Sequence, residues 1–205
     1  MGLRTDATIG QVATVTRGIS LSGRGAGTRV GNLRVHVASG GTIQDDRLIL
    51  AEFPTISVAD DGRTRRYLLH SGDLLVTGRS TQFKAALVSH LRQPTVADAT
   101  LLIVRSSIAY VCPYLWLYFT STIGRRRIES LMLGTTVRAL LPSRLTNLAV
   151  PWPAQDTLEQ IPDLVDVSER AYSAALEAAQ LRRTLFHEAV VAVLYEAPDS
   201  GDLSA

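Results

Sequence analysis

The distribution of apolar and polar positions divides the chain into two parts with different periods. Through about Pro153 the apolar residues fall in short runs, rich in β-branched types and separated by Gly, Asp and Ser. Such runs predict strands. They lie at Ile9–Val15, Leu33–Val37, Pro54–Val58, Leu74–Thr77, Ala85–Val88 and Thr100–Val104, and a last run, Leu145–Val150, leads into Pro151-Trp152-Pro153. Two segments break the pattern. Pro113–Thr122 starts with proline at a first helical position, and Gly124–Leu133 ends against Gly134. The spacing predicts an α+β body over residues 1–153, built on a compact, curved mixed sheet with helices, and not a βαβ array.

Beyond Pro153 the pattern becomes that of one long helix. Asp156 with Glu159 three residues later predicts a capping box. Apolar or small residues then recur at Leu158, Ile161, Val165, Ser168, Tyr172, Ala175, Ala179, Phe186, Val190 and Val193. This is close to a 3.5-residue period, the mark of a coiled-coil seam. Pro162 is expected to kink or delay the first turn, and Arg182 and Arg183 interrupt the stripe. A helix over residues 154–196 is roughly 60 Å long at ~1.5 Å per residue, more than a body of this size covers. The stripe therefore predicts a partner helix, with Tyr172, Leu176, Phe186 and Val190 as dimerisation or docking residues; packing on its own body is the alternative. Residues 197–205 read as a disordered tail.

Composition changes this picture in one respect. The 205 residues carry a net charge of only +2, but the charge is segregated. Through Pro153 there are 18 Lys+Arg against 9 Asp+Glu, net +9; from Ala154 onward there are 3 against 10, net −7. A basic body beside an acidic helix predicts a polyanionic partner for the body. Lys84 is the only lysine, and arginine's planar fork suits phosphates and guanine edges. A GC-biased genome accounts equally for arginine over lysine, but not for the segregation. The absence of a long apolar run and of a secretory leader pattern predicts a soluble, cytoplasmic protein without membrane contact. One cysteine, Cys112, excludes an internal disulfide.

The residues offer little catalytic chemistry. His36, His70, His90 and His187 are scattered, with no ligand spacing among them. There is no nucleophile elbow. Asp45, Asp46, Glu52 and Lys84 are thin material for a metal-dependent nuclease, and read more simply as a turn and solvated surface. Gly23–Gly27 lacks the Gly-Lys-Ser/Thr ending of a phosphate-binding loop. Tyr114, Trp116, Tyr118 and Phe119 have helical spacing and read as core in preference to base-stacking residues; Cys112 reads as a buried small apolar residue. No catalytic residue, metal or cofactor is expected.

The basic residues instead concentrate in five segments with loop signals: Arg17–Arg29, Asp61–Arg66, Gly78–Lys84, Gly124–Arg127 and Gly134–Arg138. Loops mixing Arg, Ser, Thr, Gln and Gly supply phosphate contacts and hydrogen bonds to base edges. The DNA-binding candidates are Arg24, Arg29, Arg63, Arg65, Arg66, Arg79, Gln82, Lys84, Arg125, Arg126, Arg127 and Arg138. Gln82 suits bidentate contact with adenine. Arg125–Arg127 are expected at a helix N-terminus suited to phosphate.

The order of motifs resembles the specificity subunit of type I restriction–modification systems. The resemblance rests on Ile9-Gly-Gln-Val-Ala-Thr-Val-Thr-Arg-Gly18, on Ser71-Gly72-Asp73-Leu74-Leu75-Val76, on Lys84–Val88 and on Pro113-Tyr-Leu115. It continues through Gly134-Thr135-Thr136, Leu148-Ala-Val-Pro-Trp-Pro153 and Glu159-Gln160-Ile161. It departs from the pattern in the five residues between Pro153 and Glu159 and in Pro162. The resemblance implies a target-recognition domain and one long helix, half of the usual pair. It implies a non-catalytic, sequence-specific binder of double-stranded DNA in a prokaryotic restriction–modification or phage-defence system. Its partners would be a methyltransferase subunit, a restriction subunit and a second copy as homodimer, and it would be nucleoid-associated. The alternatives are a DNA-binding component of another defence or modification complex, and a stand-alone metal-dependent nuclease.

Overall fold

The computed structural model describes residues 5–21, 31–49, 53–89 and 91–195. The chain forms two compact units, Met1–Pro162 and Asp163–Ala205. In chain order the first unit contains β1 (Thr5–Thr8), α1 (Ile9–Val12), β2 (Thr14–Arg17), β3 (Leu33–Ala38), β4 (Ile43–Gln44), β5 (Arg47–Leu48), β6 (Thr55–Val58) and α2 (Gly62–Arg65). It continues with β7 (Leu74–Thr77), β8 (Arg79–Ser80), β9 (Ala85–Leu87), β10 (Thr95–Ala97), β11 (Leu101–Arg105), α3 (Val111–Thr120) and α4 (Thr122–Glu129). β12 (Arg138–Ala139), α5 (Pro142–Thr146) and β13 (Ala149–Trp152) lead to α6 (Gln155–Tyr195). The α+β body with one long final helix is the architecture expected from the sequence.

The centre of the body is an antiparallel sheet in the order β2-β11-β7-β9. β7 and β11 are its inner strands, and Leu74–Thr77 and Leu101–Val104 are buried at every position. A strand covered on both faces needs a continuous apolar run, which is what these segments have. Leu75, Leu101 and Ile103 pack with Ile43, Phe53, Leu69 and Val88 in one cluster. α3 packs on β7 and β9 and buries Val111, Cys112, Tyr114, Leu115 and Phe119, so the aromatic helix is core. A second sheet, β10-β3-β6, mixes parallel and antiparallel pairing. Ile19, Val35, Val37, Val58 and Val96 form its own cluster.

Two predicted strands are corrected. Ile9–Val15 begins as helix α1, because Thr8 and Gln11 form a reciprocal capping box in which the Gln11 side chain accepts from Thr8 N at 2.8 Å. Its β-branched residues extend only from Thr14. Leu145–Val150 starts inside α5, whose Pro142 occupies the first turn, and the strand begins at Ala149. β13 pairs with β1 in antiparallel register, Thr8 opposite Ala149 and Thr5 opposite Trp152.

Two sequence signals acquire a physical reason. Gly72 has φ +89°, a left-handed turn that favours glycine. It aims Asp73 at Arg105, whose Nε and Nη2 donate to Oδ1 and Oδ2 at 2.7 and 2.6 Å. At Gly124 a Cβ would stand 1.8 Å from the Tyr118 carbonyl oxygen, so only glycine lets α4 turn back against the end of α3.

α6 starts at Gln155, whose side chain donates to Glu159 at 2.7 Å in place of the expected Asp156 box. The helix runs on through Pro162. Leu158 and Ile161 are buried in the first unit. From Asp166 to Tyr195 every residue is exposed except Glu169 and Ser173, which are half-buried. No helix among the described residues is long and apolar enough to cross a membrane.

Candidate nucleic-acid interface

Two of the predicted basic loops are brought into contact. β8 pairs with β12, Arg138 opposite Ser80 and Ala139 opposite Arg79. Leu133 and Ala139 exchange both backbone hydrogen bonds, at 2.9 and 2.7 Å, and close the loop 134–138. Buried Thr77 holds the turn after β8: its hydroxyl donates to Gln82 O at 3.3 Å and accepts from Lys84 N at 3.0 Å. Arg138 Nη2 donates to Thr81 O at 3.4 Å, so the two loops touch. Arg79, Thr81, Gln82, Thr135, Thr136 and Val137 are all exposed on them. The result is a ridge offering an amide, several hydroxyls, an apolar side chain and two guanidinium groups. These are the groups that meet base edges, a thymine methyl and phosphates.

α4 adjoins this ridge, with Glu129 3.8 Å from Arg138. The expectation that Arg125–Arg127 stand at its N-terminus is corrected. The helix begins at Thr122, and the Ser121 hydroxyl caps it by accepting from Gly124 N at 3.1 Å. The three arginines follow one turn later and fan around the helix. Arg126 and Arg127 are exposed. Arg125 turns inward: Nη1 donates to Phe83 O at 2.7 Å and Nη2 to Asp46 Oδ2 at 2.5 Å.

Asp46 is a junction that the sequence reading placed on a solvated surface. It is a turn residue as expected, at φ 56° beside Asp45 at φ 46°, between the paired strands β4 and β5. Its carboxylate also accepts from Ala85 N at 3.1 Å, and its carbonyl accepts from Trp116 Nε1 at 3.2 Å. Lys84 is drawn in as well, with Nζ donating to Ile43 O at 2.7 Å. Arg125 and Lys84 thus have internal partners, which distinguishes them from Arg126 and Arg127.

The remaining candidates lie elsewhere. Arg65 forms a bidentate pair with Asp60, 2.8 and 3.1 Å, which lowers the Asp60 carboxyl below its ordinary range. Arg66 is exposed, and its neighbours Tyr67 and Leu68 pack on the second sheet's cluster. Arg24 and Arg29 lie outside the described residues, as does the side chain of Arg63. Among the described residues no group of three His, Cys, Asp or Glu could hold a metal ion. Cys112 is buried, its thiol facing Val104 O at 3.5 Å, and burial pushes it up to about 11.

The residues assigned to partner docking lie on α6. Tyr172, Leu176, Phe186 and Val190 are 46, 46, 67 and 41% exposed.

No protein-family model matches the chain, and no curated protein matches its sequence. Solved structures match it by fold. The type I restriction–modification system S subunit from M. genitalium superposes with a TM-score of 0.62 at 13% identity, over 96% of this chain and 47% of that one. The HsdS subunit from Thermoanaerobacter tengcongensis gives a TM-score of 0.51 at 15% identity, over 88% and 42%. The type IIG restriction endonuclease BpuSI gives 0.57 at 8% identity, over 78% of this chain and 26% of the enzyme. The chain therefore spans about half the length of the S subunits it matches. In fold, the chain is similar to a little under half of a type I restriction–modification S subunit.

Proposed function

We propose that the chain is a sequence-specific, non-catalytic binder of double-stranded DNA that acts as specificity subunit of a restriction–modification or related defence system. The observation that carries this reading is the fold match over 96% of the chain to an S subunit. The ridge of loops 79–82 and 134–138 supports it, as does the exposed pair Arg126 and Arg127. In this reading Arg79, Arg126, Arg127 and Arg138 hold phosphates while Gln82 and the threonines meet base edges. A methyltransferase subunit supplies the chemistry, acting in the prokaryotic cytoplasm.

A second copy is the partner that α6 suits, because the helix leaves a near-3.5-residue apolar stripe exposed. A second copy paired through Tyr172, Leu176, Phe186 and Val190 gives a two-fold dimer that reads an interrupted palindrome.

The test is binding of duplex DNA by the purified chain without metal, across a salt series. Affinity should fall linearly in log–log form with salt, and sequencing of retained duplexes should return a split site. Absence of binding, or Mg²⁺-dependent cleavage by the chain alone, refutes the reading. The match to part of BpuSI supports a second reading, in which the same DNA-binding body serves a different modification complex. Co-purification with a methyltransferase subunit separates the two.

A further inference from the structure

An open groove of about 520 Å3 lies where the end of α4 meets α5 and the start of β13. Arg127, Ser130, Ser143, Arg144 and Asn147 line it, and no carboxylate does. Arg144 Nη1 donates to Leu131 O at 3.1 Å, which fixes the guanidinium on the groove wall and leaves its other donors for a ligand. Arg127 and Arg144 are both exposed. Glu129, the acid closest in sequence, is the one beside Arg138 on the other flank of α4.

Helical geometry explains that separation. Successive residues turn by ~100°. Arg125 and Glu129 share the flank facing Asp46, Phe83 and Arg138, Ile128 points into the core, and Arg127 emerges on the opposite flank. Arg126 lies between them on the outer surface. The Ser130 hydroxyl donates to Arg127 O at 2.7 Å; two guanidinium forks, the Ser143 hydroxyl and the Asn147 amide around a groove without acid fit an oxyanion with more than one free oxygen.

We propose that this groove binds a phosphodiester of the DNA backbone, on the far side of α4 from the ridge; this rests on the DNA-binding reading above. A helix ~10 Å across is close to the ~12 Å width of a major groove. A duplex read by the ridge then brings one backbone strand near Arg79 and Arg138 and the other to Arg127 and Arg144.

The experiment uses the full chain, its selected duplex and a set of duplexes carrying one neutral methylphosphonate at each position in turn. Arg144→Gln should weaken binding to all sequences alike and reduce the salt slope by about one. Arg144→Lys should restore the slope. One methylphosphonate position should weaken the parent protein and leave Arg144→Gln unaffected. Ser143→Asp places a negative charge at the groove without touching the Leu131 bond, in the first turn of α5 where an acid favours the helix. It should weaken binding in the same sequence-independent way. If both variants keep the parent's slope and methylphosphonate profile while Arg126→Gln lowers the slope, the groove is no phosphate site and the DNA-binding reading stands. If the groove variants instead lose only an acidic protein partner, the proposal is likewise overturned. A parent protein that binds no duplex at any salt refutes the DNA-binding reading itself.

Discussion

Arg125 Nη2 lies 2.5 Å from Asp46 Oδ2, and this contact binds the second turn of α4 to the turn between β4 and β5. Through Asp46 it reaches the Ala85 amide and the Trp116 indole. The first arginine of a basic triplet is therefore a structural strut, while its neighbour Arg126 faces solvent. Arg125→Ala should lower stability by about 1.5–3 kcal/mol, the range for hydrogen bonds to charged groups, roughly 3–12 °C in Tm for a chain of this size. Arg126→Ala should leave Tm unchanged and weaken DNA binding. Thermal unfolding beside a binding titration checks both; equal Tm losses would refute the division of roles.

Asp73 is 2% exposed and accepts from His70 N at 2.7 Å as well as from Arg105. Arg105 is itself half-buried, so removing Asp73 costs the charge-assisted hydrogen bonds, about 1.5–3 kcal/mol. Asp73→Ala should therefore be far more damaging than Asp60→Ala, whose exposed pair with Arg65 lies in water. The Asp73 hydrogen bond raises Arg105 above its ordinary value. A raised basic group stabilises the fold at all pH values below its unfolded pKa, so this contribution should stay constant between pH 5 and 9. Urea unfolding at several pH values measures it.

Cys112 should resist thiol reagents in the native protein at pH 8, because burial raises it from 9.0 to about 11. The folded thiol holds its proton more tightly than the unfolded one. Its contribution is thus complete below pH 9 and is lost as pH rises through 11, by about 2–3 kcal/mol at ~1.4 kcal/mol per tenfold change. Rapid native-state labelling at pH 8 would contradict this.

Gln82→Ala should leave fold and salt slope intact, since only the backbone of Gln82 is used in the turn. It should cost about 1–3 kcal/mol of discrimination at one base pair. Sequencing of DNA retained by parent and variant decides it; identical preferences would remove Gln82 from the reading surface.

The dimer predicted from α6 is tested in the intact chain. Phe186→Glu with Val190→Glu should give a folded monomer by light scattering and circular dichroism, because both residues are exposed on the single chain. Deleting the helix at Pro153 is a poorer test, since Leu158 and Ile161 are buried with the body.

Much of the fold was legible in the sequence where one physical cause dominates. The apolar runs of β7 and β11 are continuous because both faces are covered, and the stripe of α6 follows its helical period. Gly72-Asp73 carried part of the resemblance, but the left-handed turn and the buried carboxylate needed Arg105, 32 residues away, to be recognised. Long-range causes were not legible. Ile9–Val12 has strand-forming residues, but its first turn is closed by Thr8 and Gln11. A run of three arginines reads the same whether a side chain points out or in, and the ~100° step between helical neighbours decides that. Asp46 looked like a turn because it is one; its other partners come from residues 39 to 79 positions away. Arg144 is isolated in the sequence and gains meaning only beside Arg127. Gly124 was the available hint, a glycine where two helices meet.

The pairing of β1 with β13 brings the first described residues beside the last strand of the body. The Tyr114 hydroxyl donates to Pro151 O, and its ring meets Trp152 edge-on at 5.2 Å. The body is thus framed by a seam at which its chain both arrives and departs. Changes in the ridge loops leave this closure untouched, because its bonds are made by β1, β13 and Tyr114.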